Sequence, residues 1–443
     1  MAFVFLRHDP YTLTLVGVAV VVVVARLAGR LFSLLHQPPV IGEVVAGILL
    51  GPTLLGDAST ALFPEDGRPL LKMVATLGLV LFMFLVGIEL DLSHLADRQR
   101  LVATVAIVGV SVPFLLGVAL ARVLYPHHDT GRYLPFALFM GAAMSITALP
   151  VLVRILRERG LHDKPLGVVA TACAAGDDLI CWCGLATVIA VISSSGGWDL
   201  PYIAALCALF GALMFKVVKP GLERFADLPL TETVLSTIVA GILASSFITS
   251  TIGVHEVFGA FILGVVFPRG ALAEAVTARL GSITHFLLPV FFVTSGLHVD
   301  IAALGPEHIW QLALILLVAC GGKVVGVSVG ARVNGIPLRE SLALGVLMNT
   351  RGLTELIVLN IGLDLGVLDV ELFSLLVLMA VITTVATGPL MALVKPDPYL
   401  TRVPRSAANA EAQPPLGLIL TEPRLGVTPD SPGRSPWWRR GPR

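Results

Sequence analysis

Along the chain, apolar runs of about 17 to 25 residues alternate with short polar joints, which is the length an α-helix needs to cross a hydrocarbon layer about 30 Å thick. The runs begin near Tyr11, Pro38, Leu70, Leu101, Tyr133, Pro165, Leu200, Thr231, His255, Ile283, His308, Leu338 and Glu371. They predict an all-α integral membrane fold of about 13 transmembrane helices within residues 1–395. Tyr11 to Ala25 has the length of a signal-peptide core, but no small-x-small site follows before Arg26 and Arg30, so it reads as a retained first span. After Lys395 the period disappears and Pro, Arg and Ser dominate. Residues 396–443 therefore read as a disordered tail.

The polar joints are not alike. Loops after odd-numbered spans carry fifteen Lys and Arg residues, whereas the N-terminus and the loops after even-numbered spans carry five, Arg7, Arg68, Lys72, Arg122 and Arg132. Basic residues stay on the cytoplasmic side, so the N-terminus is expected outside and the C-terminus cytoplasmic, in the plasma membrane.

Composition agrees with the pattern. Hydrophobic residues make up 56% of the chain and charged ones 14%, against about a quarter charged in soluble domains. The mean hydropathy is +0.89. Thirty basic and thirty acidic residues cancel, so nothing in the bulk charge points to nucleic acid. The five cysteines all lie in apolar runs, and Cys181-Trp182-Cys183 lacks the Cys-x-x-Cys spacing, which argues for packing rather than disulfides or redox work. His255-Glu256 begins a His-Glu-x-x-His pattern, but Gly259 stands where its second histidine belongs, so no zinc site or other cofactor is expected.

Two apolar motifs recur. Gly42-Glu43-Val-Val-Ala-Gly47 in the second span is echoed by Gly259-Ala-Phe-Ile-Leu-Gly264 in the ninth. Phe82-Met-Phe-Leu-Val-Gly87 in the third is echoed by Phe291-Phe-Val-Thr-Ser-Gly296 in the tenth. Each pair is seven spans apart, an odd number, so the copies point in opposite directions. That is the signature of two inverted repeats, as in secondary transporters, whose substrate site lies near the midplane between the halves. The fifth span holds Ser145-Ile-Thr147-Ala-Leu-Pro150 and the twelfth Asn349-Thr350-Arg351-Gly352, again seven spans apart. Both place hydroxyls and a helix breaker in mid-run, which predicts two broken crossing helices whose freed backbone groups can hold an ion or a compensating charge.

Against this apolar ground, few charges stand out. Asp177 and Asp178 are adjacent in Pro165 to Ser195, a stretch otherwise free of charge. A carboxylate at a helix centre costs about 2.5 to 3.5 kcal/mol on insertion scales, so a retained pair points to ion or proton movement. Lys323 is the only charge in the eleventh span and needs a partner, for which Asp177 and Asp178 are both available. Arg351 and Glu355 are four residues apart and can neutralise each other on one helix face.

The sequence resembles the monovalent cation:proton antiporters of the second type, which include plant cation/proton exchangers, bacterial potassium efflux systems and sodium/proton antiporters. The resemblance is carried by Pro38-Pro39-Val-Ile-Gly-Glu43 with Gly51-Pro52, Ser145 to Arg154, Gly176-Asp177-Asp178, Lys323, and Met348 to Asn360, and is closest to the plant type. It implies a thirteen-helix inverted repeat working as a homodimer, and transport of Na+ or K+ against protons. Plant-type relatives usually carry Asn or Gln at the position of Asp177. The double aspartate resembles electrogenic sodium/proton antiporters instead, in which the second carboxylate binds the ion and the first pairs with the lysine.

The residues support the same chemistry directly. An ionised Asp178 is a hard oxygen ligand for a monovalent cation, assisted by Thr147, Ser145 and nearby carbonyls, with Asp177 beside it. Lys323, Arg351, Glu355, Asn349 and Thr350 would compensate charge. Proton and cation compete for one carboxylate, and this competition couples their fluxes. Two other transport classes share these features: a sodium-driven solute symporter, told apart by electrogenic solute uptake, and a cation channel, told apart by current without coupled protons. An intramembrane aspartyl protease would need Gly at Ala174 and further motifs that do not occur, so the chain is not read as an enzyme.

Overall fold

Without water to satisfy them, backbone N–H and C=O groups in a bilayer must pair within the segment, and the apolar runs accordingly fold as helices. The structure is a computed structural model that describes residues 10–394 apart from 36, 90–98, 129, 163, 194–198 and 227. The expected tail at 396–443 lies outside the described residues, as does the extreme N-terminus.

The chain begins with α1 (Pro10–Leu34), α2 (Pro39–Leu50), the short α3 (Pro52–Leu55) and α4 (Asp57–Leu62), then α5 (Arg68–Glu89) and α6 (Gln99–Leu124). It continues with α7 (Tyr133–Ser145), α8 (Leu149–Glu158), α9 (Pro165–Ser193), α10 (Asp199–Leu213), α11 (Lys219–Glu223) and α12 (Glu232–Ile252). It closes with α13 (Glu256–Val266), α14 (Ala271–Leu297), α15 (Glu307–Val333), α16 (Leu338–Met348), α17 (Leu353–Asp364) and α18 (Val370–Val394). No strand occurs among the described residues. Local signals set the ends: the Thr231 hydroxyl accepts the Val234 N–H at 3.3 Å to start α12, and Gly253, at φ 98°, stops it in the left-handed region.

Among the described residues, ten helical spans of 21 to 29 residues are long and apolar enough to cross a membrane, and α16 with α17, bent by 47° at their break, make an eleventh. The second and ninth expected spans are shorter. α2 has 12 residues and α13 has 11, a rise of only about 16 to 18 Å, because Gly51-Pro52 and Phe267-Pro268 end them early.

The helices pack as two groups. α1, α2, α5, α12, α13 and α14 pack on one another, and α6 to α9 with α15 to α18 form a second bundle, with α10 lying between α9 and α12. Glycines bring the first group to backbone contact. A Cβ on Gly47 of α2 would stand 2.8 Å from the Gly296 Cα of α14, and one on Gly264 of α13 would stand 2.9 Å from the Gly87 Cα of α5. These are the glycines of the recurring motifs, and they meet crosswise: second span with tenth, third with ninth. In the second bundle Gly117 of α6 meets Gly141 of α7 in the same way, and Gly330 of α15 lies against Val105 of α6.

Candidate functional site

The second bundle's centre is where helical geometry fails twice. Between α7 and α8 the backbone is non-helical at 146–148, and between α16 and α17 at 349–352. Pro150 and Gly352 stand at these breaks, Pro150 removing a donor and Gly352 lacking a Cβ. The two breaks satisfy each other: Ala148 N–H donates to the Thr350 carbonyl at 2.9 Å, and the Thr147 hydroxyl to the Met348 carbonyl at 2.8 Å. Thr354 adds a hydroxyl to the Thr147 carbonyl at 3.2 Å.

α7 therefore ends inside the protein, with its last carbonyls unpaired along the helix and at the negative end of its dipole. Two cations meet them. Arg351 donates from Nη1 to the Ala143 carbonyl at 2.7 Å and from Nη2 to the Met144 carbonyl at 2.6 Å, and Lys323 Nζ donates to the Ser145 carbonyl. Arg351 also meets Glu355 Oε2 at 2.6 Å, both side chains fully buried. Glu355 Oε1, Arg351 Nε and Asn349 Oδ1 are buried without a hydrogen-bond partner among the described residues.

Asp177 and Asp178 sit half-way along α9, a 29-residue helix opened by Pro165 in its first turn, where a missing N–H costs nothing. Adjacent residues on a helix point about 100° apart, and here that separates their roles. Asp177 takes the ammonium of Lys323 on both oxygens, at 3.0 Å each, with no exposure on either side chain. The Thr147 hydroxyl also lies against the Asp177 carboxylate. Cys181, one turn on, places its thiol 3.6 Å from the Ser145 carbonyl and 4.0 Å from Asp177 Oδ2. Asp178 is 3% exposed, lies within the electrostatic reach of Asp177 and Lys323, and among the described residues accepts no hydrogen bond and joins no ion pair.

Every residue expected at the site comes within this one region, in altered roles for some. Ser145 turns its hydroxyl back to the Gly141 carbonyl at 2.6 Å, so it contributes a carbonyl rather than a side chain. Thr350 likewise caps its own helix at Leu347, 2.9 Å away, and Asn349 donates to Cys320 Sγ at 3.4 Å. Glu43, part of the motifs that recur and that carry the resemblance, is buried on α2 against Gly29 of α1. Beyond the expected residues, the site also contains the carbonyls of Ala143 and Met144, the thiols of Cys181 and Cys320, and Thr384, which accepts the Arg351 N–H at 3.1 Å. A helix C-terminus at mid-depth is the signal for the carbonyls; the thiols had read as packing, and nothing in the sequence marks Thr384. The donor set is hard oxygen, suited to a monovalent cation, and no group of three or more His, Cys, Asp or Glu placed to hold a metal occurs among the described residues.

Comparison with known proteins places the chain in a family. Residues 19–394 match the family described as sodium/hydrogen exchanger, transmembrane. The chain is 41% identical over 406 residues to the Na(+)/H(+) antiporter NhaS4 of Synechocystis, covering 87% of this chain and 98% of that protein. It is 40% identical to the Cation/H(+) antiporter 20 of Arabidopsis thaliana and 33% identical to the K(+)/H(+) antiporter 1 of Saccharomyces cerevisiae, covering 87% and 92% of this chain. It spans about half of each of these two proteins, 49% of their length. Among solved structures, the sodium proton antiporter MjNhaP1 of Methanocaldococcus jannaschii shares the fold, with a TM-score of 0.60 at 16% identity over 87% of this chain and 95% of that one.

Proposed function

The chain belongs to the sodium/hydrogen exchanger family, and from that premise we propose that Asp178 is the carboxylate at which a monovalent cation and a proton compete. The protein is a secondary active transporter that exchanges Na+ or K+ for protons by alternating access. The observation that carries the site assignment is the contrast between two neighbours. Asp177 is neutralised by Lys323 at 3.0 Å, while Asp178, also buried, has no partner among the described residues. A buried ionised carboxylate is not tolerated alone, so Asp178 holds either a proton or a cation.

Alternating access needs a frame and a carrier. We assign the first bundle to the frame and the second to the carrier, and count α2 and α13 as crossings, which gives 13 in two inverted repeats. The crosswise meeting of Gly47 with Gly296 and Gly87 with Gly264 supports the repeat, because a two-fold relation maps one contact onto the other. The breaks at 146–148 and 349–352 are its two broken crossing helices. The basic-residue asymmetry supports an external N-terminus and a cytoplasmic C-terminus, and the same reading takes the protein as a homodimer in the cell membrane.

Exchange is electrogenic in this reading. A cation arriving at Asp178 displaces one proton there, and a second leaves Lys323 Nζ as the ammonium parts from Asp177. Two protons against one cation move one charge per cycle, worth about 2.3 kcal/mol per 100 mV. The test is reconstitution in liposomes with an imposed pH gradient. Na+ or K+ should dissipate the gradient and generate current on a solid-supported membrane. Exchange without current would remove the electrogenic reading, and full exchange by Asp178→Asn would remove the site.

A further inference from the structure

The frame and the carrier are tied together by polar contacts at the end of the molecule where α5 begins and α17 finishes. Lys72 Nζ of α5 meets Asp364 Oδ1 of α17 at 2.6 Å. One turn back along α17, Asn360 Nδ2 donates to Ser295 Oγ of α14 at 2.8 Å. Beside them the Asp300 N–H, just past α14, donates to Ser374 Oγ of α18 at 3.1 Å, and the His298 ring meets Phe373 edge-on with centroids 6.3 Å apart. Each contact has one partner in each bundle. At the opposite end the bundles are bridged by Arg154 of α8 and Ser33 of α1, at 3.4 Å.

α17 links this end to the ion site. It starts immediately after the break that holds Arg351 and finishes at Asp364, about 18 Å away for its 12 residues. Any movement of the carrier that carries Asp178 from one side to the other must pull Asp364 from Lys72 and Asn360 from Ser295. We propose that Lys72 and Asp364 form a latch between frame and carrier, closing one side of the transport path and opening once per cycle, with Asn360–Ser295 as its inner tier. They act as positioning residues, because neither touches the cation.

The chemistry of the pair suits a contact that must break often. The side chains are 61% and 39% exposed, and exposed ion pairs are weak. Water can replace the ion pair when it parts, whereas the fully buried Asp177–Lys323 pair has no such substitute. His255 and His298 lie near the latch, and burial holds both below the ordinary imidazole value, so at neutral pH they leave the charge contact to Lys72 and Asp364. The Asn360–Ser295 bond is a neutral pair and parts without stranding a charge.

The inference rests on the alternating-access reading, and its test separates the two. Lys72→Cys with Asp364→Cys, bridged by a short bifunctional methanethiosulfonate in proteoliposomes, should lose exchange by at least about ten-fold and regain it on reduction. Each single cysteine variant treated alike should keep exchange. So should Arg26→Cys with His285→Cys, because Arg26 and His285 meet at 2.6 Å within the frame alone. Separately, Lys72→Asp should shift the apparent cation affinity by about two- to five-fold, the scale of an exposed pair, and Asp364→Lys added to it should reverse the shift. A bridged protein that exchanges at the unbridged rate would overturn the latch, as would failure of the bridge to form. If Asp178→Asn still abolishes exchange in those cases, the ion site stands without it.

Discussion

Both helix bundles use glycine for close backbone contact, but they differ in where they concentrate buried charge. In the frame, Gly47, Gly87, Gly264 and Gly296 let backbones touch, so van der Waals contact replaces side-chain interlocking. Lipid is as apolar as the helices, and close backbone approach is the attraction left to hold such a frame. In the carrier, the same depth contains two helix breaks and five fully buried or nearly buried charges, Asp177, Asp178, Lys323, Arg351 and Glu355. Four of the five are paired, and the one left over, Asp178, is the proposed ion site. A rigid seam and a site one partner short are complementary: the first gives the second something to move against.

The contrast is sharpest at Asp178 and Gly264. Asp178→Asn should bring exchange down to the level of empty liposomes while the protein still elutes as a folded species, since Asn keeps the volume and adds no charge. Gly264→Leu should do the reverse. It drives a side chain into the Phe84 carbonyl and the Gly87 backbone, so folded protein should be lost on size-exclusion chromatography. A control at Gly211, which has open space around it, should tolerate Ala.

Next in size is the buried pair. Lys323→Met leaves Asp177 uncompensated and should cost about 3–5 kcal/mol, read as a lower thermal midpoint in detergent, and Asp177→Asn added to it should recover most of that loss. If the double variant is no more stable than the single one, Lys323 acts through the Ser145 carbonyl and not through Asp177. Asp177→Asn alone should transport more slowly with less net charge per cycle, measured as the ratio of current to proton flux. Thr147→Val should have a milder effect, raising the apparent KM for the cation a few-fold with little change in maximal rate. An unchanged KM would confine Thr147 to holding the two breaks together.

The smallest effect lies outside the spans. His128 Nδ1 meets Asp369 at 2.7 Å and its Nε2 meets Gln311 at 3.1 Å, joining the end of α6 to the starts of α15 and α18. Burial disfavours the His128 imidazolium, but the hydrogen bond and charge of Asp369, with Gln311 and Glu371, outweigh it and raise its pKa above 6.5. Burial likewise works against an ionised Asp369, and the bonds from His128 and Leu372 outweigh it, holding Asp369 below 3.8. The His128 contribution is complete below 6.5 and fades as pH rises through its folded value. That of Asp369 is complete above 3.8 and fades as pH falls through its own. Thermal stability should therefore carry a shallow maximum in that window, and Asp369→Asn should flatten its alkaline side.

The pattern of apolar runs was enough to place nearly every helix, because length and composition alone decide what crosses a bilayer. It overestimated α2 and α13, whose Gly and Pro ends read as punctuation within longer spans, and it placed the start of the tenth span near Ile283, whereas α14 begins at Ala271. The candidate residues were legible for the same reason: a charge in an apolar run has few explanations. What each one does was less legible. Ser145 resembles a hydroxyl ligand in sequence, yet its hydroxyl is spent on Gly141 and its carbonyl is the working group. Sequence names side chains, and this site is built in large part from backbone.

By itself the sequence determined the class of the molecule, the breaks at Thr147 and Gly352, and the presence of two carboxylates and one lysine at mid-depth, since each follows from local composition. Tertiary structure decided which carboxylate Lys323 takes. Asp177 and Asp178 are chemically identical and adjacent, and only the helical twist of α9 against α15, 146 residues away in sequence, turns one toward the ammonium and leaves the other free. It also decided that Lys72 and Asp364, 292 positions apart, meet at all. Contacts of that span depend on how whole helices pack, a balance of many small surface terms that no local stretch of residues encodes.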